Sequence, residues 1–86
     1  MNTASYSVST TRVLIVPADN INRTIYVHAI GNDVVYLGGV NVTAANGMLT
    51  EKGAVPFEMF LPANQTLYAV TASGTQEVRV MTPSTD

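Results

Sequence analysis

Apolar residues occur along this chain in short runs that end at glycine, proline or asparagine. Arg12 is followed by a continuous apolar run over residues 13–16 that stops at Pro17, which is typical of a short buried strand. Residues 23–30 alternate between apolar and polar positions, as a strand with one buried face does. Similar short segments follow at residues 34–37, 55–61, 66–71 and 76–81. The pattern predicts six to eight short strands, and no window of ten or more residues has the helical period.

Turn-forming residues separate these segments. The connection at residues 31–33 (Gly-Asn-Asp) is short enough to predict a hairpin between the strands on either side. Residues 72–75 predict a second hairpin in the same way. Pro56 has no N–H to donate to a ladder, so its strand is expected at a sheet edge or after a bulge. Short strands with frequent turns predict an all-β, antiparallel sandwich or barrel.

The length of 86 residues predicts one domain. We expect an N-terminal arm or edge strand over residues 1–11, a single β domain over residues 12–82 and a polar tail over residues 83–86. The alternating positions within the predicted strands define an expected core that includes Val13, Ile15, Ile25, Val27, Phe57, Met59, Val78 and Val80.

The N-terminal segment is the main candidate for contact with a partner. Residues 2–11 are rich in serine and threonine, and Tyr6 and Val8 are their only sizeable apolar side chains. We therefore expect the segment not to order by itself. Because Tyr6 and Val8 are two positions apart, an extended segment would point both to one face and could add a strand to a neighbouring sheet. Tyr6, Val8 and Arg12 are the candidate contact residues, and a frayed terminus is the alternative.

Composition favours assembly with other chains. Charged residues make up 12% of the chain, against about 25% in typical soluble domains. Small domains often need disulfides, a metal or a partner chain, and this one has no cysteine and a single histidine. We therefore expect a homo-oligomer with no metal and no cofactor. The alternative is a monomer whose surface is solvated by threonine, serine and asparagine.

Charge and hydropathy exclude several partners. The net charge of −2 argues against a nucleic-acid-binding protein, which needs a basic surface. The first residues lack the features of a signal peptide, and no apolar run is long enough to span a membrane. We expect a protein that folds in the cytoplasm where it is made.

No residue pattern predicts catalysis. His28 is the only histidine, and no spacing places a nucleophile or an orienting carboxylate beside it. The six acidic residues are scattered and lack calcium-loop spacing. Gly38 and Gly39 are not followed by the helix that a phosphate-binding loop requires. We expect this chain not to be an enzyme.

Two further features have competing interpretations. Asn22, Asn41 and Asn64 each begin an Asn-X-Thr sequon, and we interpret all three as turn residues. Four tyrosines, Tyr6, Tyr26, Tyr36 and Tyr68, could form a carbohydrate-binding platform if two or three of them shared an exposed face. Core packing with the hydroxyl at the rim is the commoner role of a strand tyrosine.

A set of short motifs resembles those of small virion proteins of tailed bacteriophages, in particular head decoration (cement) proteins. The resemblance covers about residues 23–82. It rests on residues 35–39 (Val-Tyr-Leu-Gly-Gly), 41–43 (Asn-Val-Thr), 46–47 (Asn-Gly), 53, 57–61, 67–70 (Leu-Tyr-Ala-Val), 73–75 (Ser-Gly-Thr) and 78–80 (Val-Arg-Val). It implies a β-sandwich or β-tulip fold, attachment to the major capsid protein on the outside of the shell, and assembly as a trimer. It brings no catalytic residues. For the predicted sandwich or barrel we expect a β-tulip or jelly-roll-like arrangement of the strands.

These observations together predict a structural protein of the virion that binds the capsid surface and stabilises the shell. The alternative is a carbohydrate- or receptor-binding β module of a phage head fibre or tail. A cytosolic host β domain with an unknown ligand is a third possibility.

Overall fold

A computed structural model describes residues 2–51, 53 and 56–83. Within these residues the chain forms eight β-strands and no helix, so no helix in the described part could cross a membrane. The all-β prediction is confirmed. The strands are β1 (Asn2–Val8), β2 (Val13–Val16), β3 (Arg23–Ala29), β4 (Val35–Gly38), β5 (Met48–Thr50), β6 (Phe57–Leu61), β7 (Leu67–Val70) and β8 (Gln76–Thr82).

The strands form two antiparallel four-stranded sheets. One has the order β1-β8-β3-β6 and is called the β1 sheet here; the other has the order β2-β7-β4-β5 and is called the β2 sheet. The first strand pairs with the eighth, the second with the seventh, the third with the sixth and the fourth with the fifth. This nested pairing is the strand order of a jelly roll, a double-sheet fold shared by viral capsid and lectin domains.

Both predicted hairpins are wrong. The connection at residues 31–33 leads from β3 in the β1 sheet to β4 in the β2 sheet, and the connection at residues 72–75 crosses back from β7 to β8. Among consecutive strands of the described residues, only β4 and β5 pair with each other. The short turns were identified from their residues, but each one carries the chain between layers, which turn chemistry does not specify.

The core lies between the sheets and follows the predicted alternation. Val27 and Val78 have no exposed surface, and Ile15, Ile25 and Val80 are also buried. The other three residues of the predicted core are half-buried and pack against it: Val13, Phe57 and Met59. The core also contains residues that were not predicted: Val8, Val16, Ala29, Val35, Leu37, Leu61, Leu67 and Ala69.

The N-terminal segment is an edge strand of its own chain. All seven residues of β1 pair with β8, from Asn2 opposite Thr82 to Val8 opposite Gln76. Of the two alternatives that the sequence leaves open for residues 1–11, an arm or an edge strand, the structure shows an edge strand over Asn2–Val8. Its main-chain hydrogen bonds and the burial of Val8 come from the rest of the same chain, and no neighbouring sheet is needed to order it.

The strand after Pro56 lies where its proline predicts. β6 ends the β1 sheet and pairs with β3 on one side within the described residues. Val55, which the sequence places in this strand, lies outside the described residues. The edge position is confirmed, since a proline at the start of an edge strand costs the sheet no ladder hydrogen bond.

Arg23 joins two loops at one end of the sandwich. Its side chain is only 8% exposed, and its Nη2 donates to the carbonyl oxygen of Pro17 at 2.7 Å and to that of Gln65 at 3.4 Å. Its buried Nε has no hydrogen-bond partner among the described residues. The guanidinium therefore links the β2–β3 connection to the β6–β7 connection by hydrogen bonds from a charged donor, which are stronger than neutral ones.

We expect Arg23→Ala to lower the free energy of unfolding by about 2–3 kcal/mol, because it leaves two carbonyl acceptors without this donor and removes a buried side-chain stem. Urea denaturation followed by circular dichroism measures this. Arg12→Ala is the matched control: Arg12 is exposed, and the same substitution there should change stability by less than about 0.5 kcal/mol. Equal effects of the two substitutions would contradict a linking role for Arg23.

Candidate functional site

The outer face of the β1 sheet is predominantly polar. Buried and more exposed positions alternate along its strands, so the residues between the buried positions point away from the core. Three larger apolar or aromatic residues, Tyr26, Phe60 and Met81, lie among serine, threonine and charged residues. The polar positions of this face are Thr3, Ser5, Ser7, Thr24, His28, Glu58, Glu77 and Arg79.

The outer face of the β2 sheet is apolar. The outward positions of its four strands are Leu14, Tyr36, Gly38, Leu49, Tyr68 and Val70, and none of them is charged. Leu14 is 39% exposed and Leu49 is 51% exposed. An antiparallel sheet that faces water normally carries polar residues on that side. This face therefore has the composition of a surface that is covered by a contact.

The loop between β4 and β5, residues 39–47, covers part of this face. Val42 is only 2% exposed and lies against Gly38 and Gly47. A Cβ atom added to Gly38 would lie 2.8 Å from Cγ2 of Val42, and one added to Gly47 would lie 2.6 Å from Cβ of Tyr36. The two glycines therefore permit a close approach of the loop to the sheet that any side chain would prevent.

Internal hydrogen bonds hold the β4–β5 loop in place. The amide of Val42 donates to the carbonyl of Gly39 at 3.0 Å, and the amide of Gly47 donates to the carbonyl of Thr43 at 2.9 Å. The Thr43 amide donates to Oδ1 of Asn46 at 2.7 Å. A loop whose backbone amides are hydrogen-bonded in this way presents a fixed surface, which is what a specific contact requires.

An open groove of about 690 Å³ lies on this side of the molecule. Tyr68 and Val70 line it together with residues 10–12 of the β1–β2 connection and residues 40 and 42–44 of the β4–β5 loop. Arg12 is the charged residue among those that line it, and threonines 10, 11, 43 and 71 line it as well. The groove combines an apolar floor with several hydrogen-bonding groups at its edge.

A smaller pocket of about 200 Å³ lies on the β1 sheet, where Tyr26, His28, Arg79 and Met81 meet. The Nδ1 atom of His28 is buried there and has no hydrogen-bond partner in the described part of the chain. Nε of Arg79 pairs with a carboxylate oxygen of Glu77 at 3.2 Å. Both of these side chains are about half exposed, so the ion pair contributes little to stability.

His28 stands opposite Arg79 on the neighbouring strand, so the group that it faces is a cation. Within the described ranges, no hydrogen bond joins it to Asp19 or Asp33, the carboxylates that the sequence places nearest to strand ends. No group of three histidine, aspartate or glutamate side chains among the described residues could hold a metal ion. The expectation that the chain is not an enzyme stays a prediction.

The three predicted contact residues lie in different environments. Tyr6 and Val8 share one face of β1, as their spacing predicts, but that face is the inner one: Tyr6 is half-buried against the core and Val8 has no exposed surface. Val8 is therefore a core residue, and its side chain has no surface to offer a partner. Arg12 is exposed and lines the groove on the other sheet. Contact of Tyr6 or Arg12 with a capsid or a subunit stays a prediction.

The apolar outer face of the β2 sheet was not predicted from the sequence. Tyr36 and Tyr68 lie on one outer face, with Leu14 and Leu49 on the strands at either edge of the same sheet. A signal for this was present in the sequence: the β2-sheet strands read as nearly continuous apolar runs, whereas those of the β1 sheet alternate. Continuous runs are typical of strands that are covered on both faces.

No known protein family, curated protein or solved structure matches this chain. Its function must therefore be inferred from its fold and its surfaces.

Proposed function

We propose that this protein is a structural component of a bacteriophage virion that binds the outside of the capsid shell in assembled form and stabilises it. The observation that carries the proposal is the uncharged, apolar outer face of the β2 sheet on a chain with only 12% charged residues. The β4–β5 loop covers part of this face, and an apolar area that stays exposed, such as the one around Leu14 and Leu49, is normally covered by another protein surface. The resemblance to decoration proteins supports the virion setting. The jelly-roll strand order fits that setting and fits a lectin equally well, so the fold does not choose between them.

The exposed apolar side chains are too small to hold one copy tightly at a single site. This favours assembly on a surface that repeats the same site many times. Burying the exposed half of Leu14 or of Leu49 would contribute about 1 kcal/mol each. Association costs at least about 4 kcal/mol in lost freedom of motion, so one such contact is weak. A capsid presents many copies of its site at fixed spacing. An assembly that binds two or more sites at once gains affinity from effective concentration. Binding to the native shell then stabilises it by mass action.

The expected result is that the protein co-sediments with undecorated capsids of the phage that carries its gene, at hundreds of copies per particle. Quantitative mass spectrometry of purified virions gives the copy number. We expect Leu14→Asp to reduce capsid occupancy at least tenfold, because it places a charge in the apolar face. Ser5→Asp, on the outer face of the other sheet, is the control and should keep most of the occupancy.

A copy number of a dozen or fewer would indicate a fibre or tail component and would end the decoration proposal. Failure of the folded wild-type protein to bind capsids at micromolar concentration would end it as well. A larger loss with Ser5→Asp than with Leu14→Asp would keep capsid binding but assign it to the β1 sheet.

The carbohydrate-binding alternative has one specific observation in its favour. Tyr36 and Tyr68 share an outer face, and Tyr68 lines a groove that also holds threonine hydroxyls and Arg12. Apolar pockets with a few convergent polar groups are the common form of small-molecule sites. Calorimetric titration with neutral oligosaccharides tests this alternative. It predicts saturable binding that Tyr68→Ala abolishes while far-ultraviolet circular dichroism stays unchanged.

A further inference from the structure

We infer that the open groove beside Arg12 receives an extended, acidic segment of the major capsid protein, and that an aspartate or glutamate of that segment pairs with Arg12. The groove is the one of about 690 Å³ between the β1–β2 connection and the β4–β5 loop. This inference rests on the proposed function and deepens it, because it names the chemistry of the partner and the residue that selects it.

Arg12 is the arginine that the fold leaves available. Arg23 is buried and donates to two backbone carbonyls, and Arg79 pairs with Glu77. Arg12 is exposed, and among the described residues no hydrogen bond or ion pair engages its guanidinium. A guanidinium presents a planar fork of donors that matches the two oxygens of a carboxylate. Arg12 can therefore give both of these bonds to a partner without losing any of its own.

The charge of the groove selects an anion. Arg12 is the charged residue in its lining, and no aspartate or glutamate in the described part of the chain lines it. Val40, Val42 and Val70 supply apolar groups around it. A partner that covers these groups also shields the ion pair from salt, so the pair is screened less than an exposed one. The whole chain carries a net charge of −2, so attraction to an acidic group has to be local to this groove.

The polar groups of the groove suit a polypeptide better than a sugar. The hydroxyl of Thr43 accepts a hydrogen bond from the amide of Ala45 at 3.3 Å, and that of Thr71 donates to the carbonyl of Gly74 at 2.8 Å. Within the described lining there is no asparagine, glutamine or acidic side chain to bind the hydroxyls of a sugar ring. Polar groups left imperfectly paired weaken binding. An extended peptide needs only a partner for one carboxylate and apolar contacts for its other side chains.

Both walls of the groove are held in place. On the side of Arg12, the carbonyl of Ser9 accepts a hydrogen bond from the amide of Thr71 at 2.9 Å, and the Thr11 amide donates to Oγ of Ser9 at 3.3 Å. The opposite wall is the β4–β5 loop with its own internal hydrogen bonds. A groove that is formed before binding spends little free energy on ordering.

Capsid co-sedimentation over a series of salt concentrations tests the pairing. We expect Arg12→Gln to weaken binding to undecorated capsids at least about tenfold, because the partner's carboxylate is then covered without a counter-charge. Wild-type binding should weaken as salt is raised, and binding of Arg12→Gln should depend on salt much less. Arg79→Gln is the matched control, since it removes the same charge from the other sheet; it should keep the wild-type affinity and salt dependence. Circular dichroism confirms that each variant is folded.

Val40→Asp tests the same groove by adding a charge. Val40 is 63% exposed and lines the groove, so the new carboxylate repels an acidic partner and competes for Arg12. We expect capsid binding to weaken at least about tenfold while the melting temperature stays unchanged. Ser5→Asp adds the same charge to the other sheet and should keep most of the binding.

Cross-linking identifies the partner group. In Arg12→Lys, a carbodiimide can join the new amine to a carboxylate that lies against it. We expect mass spectrometry of the decorated capsids to find a cross-link from position 12 to an aspartate or glutamate of the major capsid protein. Arg79→Lys is the control and should give no cross-link to the shell.

Wild-type affinity in Arg12→Gln, or an equal loss in Arg79→Gln, would overturn the inference. A cross-link from position 12 to another copy of this chain would overturn it too. Saturable calorimetric binding of an oligogalacturonate that Arg12→Gln abolishes would assign the groove to an acidic sugar instead. If Leu14→Asp weakens capsid binding and Arg12→Gln does not, only this inference fails. A folded wild-type protein that never binds capsids refutes the proposed function as well.

Discussion

Replacing Val78 with aspartate should unfold the chain. Val78 has no exposed surface and lies in β8, between β1 and β3, opposite Tyr6 and Ala29. A carboxyl group there has no partner, and burying it costs several kcal/mol whether it ionises or takes up a proton. Small domains are stable by only about 5–15 kcal/mol in total, so one such substitution removes most of the margin. Circular dichroism and gel filtration of the variant measure the loss of folded protein.

Val40→Asp is the matched control, because it makes the same chemical change at an exposed site. Val40 is 63% exposed and lies inside the turn that the Val42 amide closes on the Gly39 carbonyl. Aspartate is well suited to turns, so stability should change by less than about 0.5 kcal/mol. A soluble Val78→Asp protein with an unchanged melting temperature would show that β8 does not face the core as described.

Deleting residues 2–9 should have the second large effect. This deletion removes β1, and with it seven paired positions along β8 and the fully buried side chain of Val8. The amide of Thr71 would also lose its bond to the carbonyl of Ser9, which measures 2.9 Å. We expect the truncated chain to lose cooperative folding or to melt at least about 15 °C lower, since a shift of 4–8 °C corresponds to about 1 kcal/mol in a domain of this size.

A synthetic peptide of residues 2–9 supplies the control for the deletion. Added in excess to the truncated chain, it should restore part of the lost stability by strand addition to the free edge of β8. A scrambled peptide of the same composition should not. If the truncated chain melts at the wild-type temperature, β1 contributes nothing to the fold, and the segment would again be a candidate arm for a partner.

The inward and outward positions of the strands could be predicted from the sequence. Ile25, Val27, Val78 and Val80 are buried where their alternation places them, because side chains of a strand point to opposite faces with a period of two. The period is a local property, so it survives whatever the strand pairs with. The edge position of β6 could be predicted for a similar reason, since Pro56 cannot donate a hydrogen bond.

The candidate surface was predictable only in part. Arg12 was identified and lines the groove, but Tyr6 and Val8 were assigned to a contact and lie on the inner face of β1, where Val8 is buried and Tyr6 half-buried. Their spacing correctly predicts a shared face. Which side of the sheet that face occupies depends on β8, the strand that β1 joins, and β8 begins 68 residues after Val8 in the chain. Leu14 and Leu49 belong to one surface only because β2 and β5 end in the same sheet.

The sequence by itself determined that this chain forms short strands and where most of them run. It also determined which strands are apolar on one face and which on both. Tertiary structure alone decided that β1 pairs with β8 and that β3 and β4 lie in different layers. The physical reason is that strand pairing depends on which distant surfaces bury each other. The entropic cost of closing a loop grows only slowly with its length, so a distant strand competes well with the next one along the chain. The nested order of a jelly roll follows from that competition, and it gathers the apolar outer positions of four strands into one face.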